Sequence, residues 1–347
     1  MTTQQKTITH TAFKALPIVD ISLLSSENLD DRKQVANDLD KATREAGFLY
    51  LKGHPVPNHL IEDLKASVKD YFAQSIDEKM RHYIGLSENH SGYVPKGEEQ
   101  FYSGQVDLKE GYDVSFESSS LLKKFYPNAS NQWPENADFK HAVKAYYEAI
   151  FNLSKMIFSA FALALNLPED FFEQKLKAPP SQLRLLHYFE NPNATNSDSG
   201  IGAHTDYEFF TLLLPTSPGL QVLNGAGEWI EAPVLDGCFV LNIGDMMEVM
   251  SNGHYVATSH RVRAVKAERY SFPYFAALDY ETVVEPLEVF CTDKPAAYDR
   301  VVCGDHLLAQ TMQTFVYLKA RQARGEVALP EDSKALGSYG HAQLKEG

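Results

Sequence analysis

The chain is poor in cysteine, and its three cysteines at 238, 291 and 303 form no C-x-x-C pair. A disulfide scaffold or a thiolate zinc site is therefore not expected, and reduced thiols in a cytoplasmic protein are the simpler interpretation. Long apolar runs are also missing. The longest, 156–165, is far shorter than the ~20 residues that cross a bilayer. Residues 1–16 lack an apolar signal segment, so we expect neither a signal peptide nor a transmembrane helix.

Positive charge is scarce as well, with 32 basic against 46 acidic residues and a net charge of −14. A chain of this charge gains nothing from phosphate contacts, which argues against nucleic acid and against an anionic membrane as partners. Internal repeats are absent, and 347 residues suffice to bury a core. We therefore expect one compact unit that acts on a small molecule, as a monomer or a weak homodimer.

Two kinds of pattern divide the chain near residue 180. Before it, apolar residues at helical spacing predict helices separated by short strands, with a glycine-punctuated loop region at 87–117. After it, short strands and turn clusters indicate a closed or sandwiched all-β core. The predicted helices are 29–45, 58–74, 139–167 and 306–318, and the predicted strands are 16–21, 48–51, 182–189, 204–214, 219–223, 229–232, 239–243, 255–265 and 269–275. The fold class is mainly β with flanking helices.

The sequence around His204-Thr205-Asp206 has the form of a metal site. On one strand, residues two apart point to the same face, so His204 and Asp206 can aim at one point. His260 is far enough along the chain to return on another strand. Two histidines and one carboxylate form the facial triad that suits non-haem Fe(II). His-x-Asp alone is a weak signal in a chain with 12 histidines.

A second pair strengthens the prediction. Arg269 and Ser271 are again two residues apart and share a face if they lie on a strand. A guanidinium and a hydroxyl together suit a carboxylate, which is the group that 2-oxoglutarate presents away from a metal. The alternative is an ordinary strand arginine that pairs with an acid such as Glu268.

Three further segments complete a family pattern: 16–21, the pair 44–51 and 53–57, and Asp107-x-Lys109-Glu110. With the triad and the clamp, they resemble the isopenicillin N synthase-like Fe(II)/2-oxoglutarate-dependent dioxygenases over residues 16–315. Gly53 and Pro55 depart from the family's usual Asn and Gly. The resemblance implies a double-stranded β-helix, or jelly-roll, core with an N-terminal helical lobe. The implied division is a tail at 1–15, a lobe at 16–175, the core at 176–285 and a C-terminal helical region at 286–347.

The resemblance also implies the chemistry. His204, Asp206 and His260 would bind Fe(II), while Arg269 and Ser271 would hold the distal carboxylate of 2-oxoglutarate. Tyr188 matches a family tyrosine that meets the same carboxylate, and residues 242–245 match a turn that is structural. O2 would be consumed, 2-oxoglutarate would yield succinate, and a small molecule would be oxidised, most simply by hydroxylation. Ascorbate would support such activity in vitro.

Several alternatives stay open at this point. One is an oxidase of the same fold that uses the arginine for its own substrate rather than for 2-oxoglutarate. Another is a zinc hydrolase with the same ligands, in which the carboxylate clamp would have no task. The last is a jelly-roll binding module without activity, which would not need an open iron site.

The substrate is suggested only by local likeness. Within the family, residues 91–99 and 200–207 are most similar to the bacterial ethylene-forming enzyme, which also hydroxylates L-arginine. By that likeness, Glu99 would contact a guanidinium, Tyr207 would line the pocket, and His187 would stand where the relative has an arginine for the substrate carboxylate. Gln100 and Phe101 replace small residues beside Glu99, so we expect hydroxylation of a basic amino acid more than ethylene release.

Overall fold

The computed structural model describes residues 11–100, 109–117, 119, 121–192, 199–264, 266–292, 294–331 and 333. Asp107, which carries part of the family likeness, and Phe101, which departs from it, lie outside these residues. The helices are α1 (Leu29–Ala46), α2 (Asn58–Phe72), α3 (Ile76–Met80), α4 (Ala137–Ala164), α5 (Asp245–Met250), α6 (Cys303–Thr314) and α7 (Val316–Ala323). Short 3-10 turns lie at Ser22–Ser25, Ile84–Leu86, Glu173–Lys175 and Glu288–Phe290.

The strands form two principal sheets and one small one. They are β1 (Ile18–Asp20), β2 (Phe48–Lys52), β3 (Gly92–Val94), β4 (Lys109–Ser115), β5 (Gln182–Tyr188), β6 (Ser199–His204), β7 (Phe210–Pro215), β8 (Leu220–Leu223), β9 (Trp229–Glu231), β10 (Cys238–Ile243), β11 (His260–Arg263), β12 (Arg269–Ala276), β13 (Val283–Val284) and β14 (Val301–Val302). The eight-stranded sheet has the order β1-β2-β10-β7-β12-β5-β4-β3, and the four-stranded sheet has the order β6-β11-β8-β9. Strands β13 and β14 pair separately.

The two principal sheets enclose one cavity, and this arrangement is the jelly-roll that we expected. Residues of β5, β7 and β12 line it from the large sheet, and residues of β6, β8 and β11 line it from the small sheet. The cavity therefore lies between the sheets, where side chains from both can converge.

Helix α4 covers the other face of the large sheet. Tyr147 packs edge-on against Tyr274 with 5.5 Å between ring centroids, and Phe158 packs against Phe210 at 4.7 Å. Helices α1 and α2 pack in turn on α4. The apolar stripe of α4 is thus part of the core, because burial of such a stripe stabilises the sheet from behind.

The sequence pattern misplaced three features. The loop region expected at 87–117 contains β3 and β4, which extend the large sheet beside β5. The strand expected at 204–214 is two strands, because β6 ends at His204 and β7 begins at Phe210. The helix expected at 306–318 is broken at Phe315, whose extended backbone (φ −87°, ψ 129°) separates α6 from α7. No helix among the described residues is long and apolar enough to cross a membrane.

Candidate active site

The three residues of the expected metal site meet inside the cavity. His204 ends β6, His260 begins β11, and the two are directly paired across the small sheet. Asp206 lies in the turn after β6. Its Oδ1 atom is 3.6 Å from the Nε2 atom of each histidine, and ligand atoms of all three residues lie within 4.8 Å of one another. The convergence is as predicted, but its reason differs, because the turn rather than a continuous strand directs Asp206.

Hydrogen bonds orient each of these side chains. The Nδ1 atoms of His204 and His260 donate to the backbone carbonyls of Gly202 (2.8 Å) and Thr258 (3.2 Å). Since Nδ1 then carries the proton, Nε2 presents its lone pair to the centre, as metal-binding histidines require. These contacts select the tautomer that binds a divalent metal.

The second carboxylate oxygen of Asp206 is held as well. Asn242 Nδ2 donates to Oδ2 at 2.8 Å, and the Thr211 hydroxyl donates to the same atom at 2.5 Å. Thr211 and Asn242 face each other across β7 and β10. Oδ1 is thereby left to face the histidines. Asn242 was expected to be structural only, whereas its side chain forms a hydrogen bond with the metal ligand Asp206.

The turn that carries Asp206 rests against the corner between β10 and α5. The N–H of Asp245 donates to the Asp206 carbonyl at 2.8 Å. At Gly244 a Cβ atom would lie 2.3 Å from the carbonyl oxygen of Glu208, which is closer than real atoms approach. Glycine is therefore required at 244 for the turn and the corner to pack.

The electrostatics of the triad favour metal binding. Burial, and then the neighbouring His204, lower the pKa of His260 to about 4. Burial alone would raise the pKa of Asp206, but His260, His204, Asn242 and Thr211 together hold it below its usual value. Neutral imidazole and ionised carboxylate are the forms that bind a metal. This donor set fits Fe(II) with open positions opposite the protein.

Arg269 lies deeper in the cavity on β12. Its side chain is 1% exposed, and its guanidinium lies 4.5 Å from the ring centroid of Tyr188. It donates to the hydroxyl of Ser271 at 3.2 Å and to the carbonyl of Ser217 at 3.3 Å. The three residues expected to bind a carboxylate are thus together and line the cavity.

The alternative partner for Arg269 is engaged elsewhere. Glu268 accepts a hydrogen bond from Tyr270 at 3.0 Å and lies 2.9 Å from His187 Nε2. Among the described residues, Arg269 forms no ion pair. A buried guanidinium without a carboxylate is a costly arrangement unless an anionic ligand completes it. The site therefore fits a carboxylate-bearing co-substrate.

The structure does not bring His187 to the cavity. Alternation along β5 directs Arg184 and Tyr188 to the cavity and His187 to the opposite face of the sheet. There, His187 Nδ1 lies 2.8 Å from the carboxylate of Glu110. The expectation that His187 contacts substrate is wrong for this geometric reason. The residue of β5 that offers a cation to the cavity is Arg184, which was not expected from the sequence.

Glu99 lies in the cavity wall within a cluster of buried charges. Arg184 Nη1 lies 2.7 Å from one oxygen of Glu99, and Lys109 Nζ lies 2.8 Å from the other. Arg184 Nε also pairs with Asp113 at 2.9 Å. Burial opposes ionisation of Glu99, but Arg184 and Lys109 hold its pKa well below the usual value. For Asp113 burial prevails and raises the pKa to about 6, even though Arg184 opposes the shift.

The residues after Asp206 complete the wall. Tyr207 and Glu208 both line the cavity. Burial, and then the charge of Asp206, raise the pKa of Glu208 to about 8. The second of these causes is offset once a divalent metal binds Asp206, because the ion neutralises that charge. Tyr207 was expected in the pocket, whereas Glu208 received no role from the sequence.

Comparisons with known proteins agree with this geometry. A family model described as the N-terminal region of the non-haem dioxygenase in morphine synthesis matches residues 16–136. The model of the 2OG-Fe(II) oxygenase superfamily matches residues 180–277, which include the triad and the arginine clamp. A homoarginine-6-hydroxylase of Glycine max is 36% identical over 334 residues, covering 89% of this chain and 99% of that protein. The chain belongs to the 2OG-Fe(II) oxygenase superfamily.

Two further similarities support the assignment of this 2OG-Fe(II) oxygenase. A homoarginine-6-hydroxylase of Oryza sativa subsp. japonica is 35% identical over 326 residues, covering 88% of this chain and 98% of the relative. The crystal structure of full-length Neurospora crassa T7H with alpha-KG and thymine superposes with a TM-score of 0.75. That structure covers 89% of this chain and 98% of its own at 23% identity, which shows the common fold.

The superfamily assignment decides between the open alternatives. The protein is an Fe(II)- and 2-oxoglutarate-dependent dioxygenase with His204, Asp206 and His260 as its facial triad. An oxidase that needs no 2-oxoglutarate, a zinc hydrolase and a binding module without activity are set aside. The particular likeness expected to the ethylene-forming enzyme is corrected, because both curated relatives described above are named as homoarginine-6-hydroxylases.

Proposed function

We propose that this 2OG-Fe(II) oxygenase hydroxylates a basic amino acid, with homoarginine and arginine as the first candidates. The observation that carries the proposal is the near full-length similarity to two plant homoarginine-6-hydroxylases. A cavity wall that contains carboxylates beside the metal triad supports it, since guanidinium groups pair well with carboxylates. We further propose that the protein is a cytoplasmic monomer or weak homodimer.

The cavity residues that bind the metal and the co-substrate each have a task in this reaction. When bound, iron supplies the reactivity toward O2 and the substrate C–H bond. His204, Asp206 and His260 hold the metal, and the contacts to Oδ2 of Asp206 fix its free oxygen. We propose that Arg269 and Ser271 bind the distal carboxylate of 2-oxoglutarate. This contact sets the direction from which the co-substrate reaches the metal.

Tyr188 contributes to the same end of the cavity. Its ring stacks on the Arg269 guanidinium, so the fork of donors is held in one orientation. A fixed fork loses less conformational entropy on binding a carboxylate than a mobile one does. We therefore propose that Tyr188 positions Arg269, rather than that Tyr188 accounts by itself for the affinity for 2-oxoglutarate.

Glu99 and Tyr207 form the substrate side in this proposal. Both oxygens of Glu99 already face cations, namely Arg184 and Lys109. A substrate guanidinium would therefore share Glu99 with these residues, while Arg184 and Lys109 offer cationic contacts to a substrate carboxylate. An amino acid carries both groups, and this wall presents both signs of charge at close range.

The test is succinate formation above the rate without substrate, measured with Fe(II), 2-oxoglutarate and ascorbate. Homoarginine, arginine and lysine are the proposed substrates, and glutamate and leucine are the controls for size and charge. We expect stimulation by the basic amino acids, and loss of that stimulation in Glu99→Gln with 2-oxoglutarate binding intact. If no basic amino acid raises succinate release, the substrate assignment fails while the dioxygenase assignment stands.

Ethylene release is the remaining alternative, and it is read in the same assay. Ethylene in the headspace at a yield similar to that of succinate would favour it. The same assay checks the dependence on 2-oxoglutarate, because product formed at full rate without 2-oxoglutarate would contradict it.

A further inference from the structure

His90 lines the substrate cavity from the segment that precedes β3. Its side chain is 1% exposed, and its backbone has a φ of 48°, in the left-handed region that residues other than glycine seldom adopt. Neighbouring groups hold this backbone in place. The Ser87 hydroxyl accepts hydrogen bonds from the N–H groups of Asn89 (2.9 Å) and Ser91 (3.3 Å), and Gln182 donates to the His90 carbonyl at 3.4 Å. An uncommon backbone conformation that its surroundings maintain is typical of a functional residue.

The two nitrogens of the His90 ring have different surroundings. Nδ1 lies 2.6 Å from the hydroxyl of Tyr317 on α7, a residue that does not line the cavity. Nε2 is buried and has no hydrogen-bond partner among the described residues. Because the Nδ1 edge of the ring meets Tyr317, the edge with Nε2 is the one that a ligand in the cavity can reach. A buried polar atom without a partner is unfavourable unless a ligand supplies one.

Tyr317 determines which nitrogen of His90 carries the proton. Burial, and then the charge of Arg184, lower the pKa of His90 to about 3, so the ring is neutral and has one N–H. Within the described part of the chain, the Tyr317 hydroxyl has Nδ1 as its one partner. If the hydroxyl donates to Nδ1, both groups are satisfied, whereas the other tautomer would leave the phenol hydrogen without an acceptor. Nε2 therefore presents an N–H donor to the cavity.

A second buried donor without a partner lies near the same aromatic ring. His90 packs edge-on against Phe315 with 4.7 Å between ring centroids, and the Arg184 guanidinium lies 5.6 Å from the centroid of that ring. Asp113 and Glu99 accept hydrogen bonds from Nε and Nη1 of Arg184, but Nη2 has no partner among the residues that the structure describes. Two N–H donors, one neutral and one cationic, thus border the cavity. Such a pair suits the oxygens of a carboxylate.

We propose that His90 is a specificity residue that donates its Nε2–H to the carboxylate of the amino-acid substrate, beside Arg184, and that Tyr317 positions the His90 ring. This inference rests on the proposed function and identifies the contact that recognises the carboxylate. A substrate without this group would leave both donors unpaired in a buried wall, so it should bind less tightly even though it fits.

Two ligands that differ by one group provide the test. Homoarginine has the carboxylate, and homoagmatine is the same molecule without it. Binding is measured by calorimetry to the full chain loaded with Mn(II) and 2-oxoglutarate, so turnover does not interfere. We expect the wild-type protein to bind homoarginine at least about tenfold more tightly than homoagmatine.

Substitutions at His90 separate the roles of its two nitrogens. Asparagine tolerates the left-handed backbone, and its amide extends only as far as Nδ1, so His90→Asn keeps a partner for Tyr317 and removes the donor to the cavity. This variant should bind homoarginine about tenfold to a hundredfold more weakly, while homoagmatine is little affected. His90→Gln extends as far as Nε2 and should restore part of the preference. Tyr317→Phe should weaken homoarginine binding by a smaller factor, with no further loss when it is combined with His90→Asn.

His54→Asn is the matched control. His54 also packs edge-on against a phenylalanine, with 4.6 Å between its ring centroid and that of Phe239, and its Nδ1 has no partner among the described residues. Because His54 does not line the cavity, this variant should bind both ligands as the wild-type protein does. The affinity of each variant for 2-oxoglutarate reports whether the cavity is intact, and Tyr317→Phe replaces His90→Asn in the comparison if that affinity is lost.

Three results overturn the proposal, and their consequences differ. If His90→Asn keeps the wild-type preference for homoarginine, the carboxylate is bound elsewhere and the proposed function is unaffected. If the wild-type protein binds both ligands equally, the cavity has no carboxylate subsite, while succinate release with homoarginine would still support the proposed function. If neither ligand binds, the proposal fails, and the succinate assay decides whether the proposed function fails with it.

Discussion

Replacing Arg269 by glutamine should weaken 2-oxoglutarate binding without destabilising the protein in the absence of co-substrate. The guanidinium is buried beside Tyr188 and Ser271 and pairs with no described carboxylate. A hydrogen bond to a charged group contributes about 1.5–3 kcal/mol. At about 1.4 kcal/mol per tenfold change, the dissociation constant should rise roughly tenfold to 150-fold.

This loss translates into a thermal shift. Ligand at a hundred times its dissociation constant stabilises a protein by about 2.7 kcal/mol. For 347 residues the unfolding entropy is roughly 0.7 kcal/mol per degree, so the wild-type melting temperature should rise by about 4 °C. A hundredfold weaker variant at the same concentration gains about 0.4 kcal/mol, or roughly half a degree.

The assay is differential scanning fluorimetry with Mn(II), with and without 2-oxoglutarate. Arg261→Gln is the matched control, because Arg261 also stacks on an aromatic ring (4.1 Å from Trp229) and bonds to Gln221 but does not line the cavity. Without co-substrate, Arg269→Gln should change the free energy of unfolding by no more than about 1 kcal/mol. A wild-type thermal shift in Arg269→Gln would refute the carboxylate clamp.

Three further outcomes are expected. The variants His204→Ala, Asp206→Ala and His260→Ala should each lose bound iron in a metal assay and all turnover, since two remaining ligands hold a labile ion poorly; an active variant would remove its residue from the triad. Asn242→Ala should weaken metal binding about tenfold to a hundredfold, because Asp206 loses a donor to Oδ2; unchanged affinity by competition titration would contradict this role. Burial alone would raise the pKa of Asp40, but hydrogen bonds from neighbouring side chains lower it from 3.8 to about 2. The stability that Asp40 contributes, about 2 kcal/mol, should thus be present above pH 4 and lost between pH 4 and 2; urea unfolding of Asp40→Asn at pH 6 and pH 3 checks whether the difference from wild type shrinks with acid.

The triad and the clamp could be predicted from the sequence because each is short and has a fixed spacing. The supporting contacts could not. Thr211 and Asn242 lie 31 residues apart and meet because β7 and β10 pair in one register. Even the position of Asp206 depends on the contact between its turn and the corner that joins β10 to α5, since β6 ends before Asp206. Sheet register is a property of the whole fold, so no local pattern shows which distant side chains will contact a given ligand.

The residues of β5 that face the cavity follow from strand parity. Tyr188 was expected at the clamp, and this fixes which face of the strand meets the cavity. Counting back by two and by four reaches Leu186 and Arg184, whereas His187 falls on the opposite face. Parity on the predicted strand is therefore enough to assign Arg184 to the cavity and to exclude His187 from the sequence alone.

The position of Glu99 cannot be derived by counting residues along a strand. Its segment is held by the break between α6 and α7: the N–H of Gln100 donates to the carbonyl of Thr314 at 2.9 Å, and the N–H of Val316 donates to the carbonyl of Glu98 at 2.9 Å. An unbroken helix would have bonded these groups within itself. The extended backbone at Phe315 frees them to hold the Glu99 segment against the cavity, which Phe315 also lines. The C-terminal helices thus help to build the substrate compartment, and the charge cluster around Glu99 depends on a helix break that apolar periodicity does not reveal.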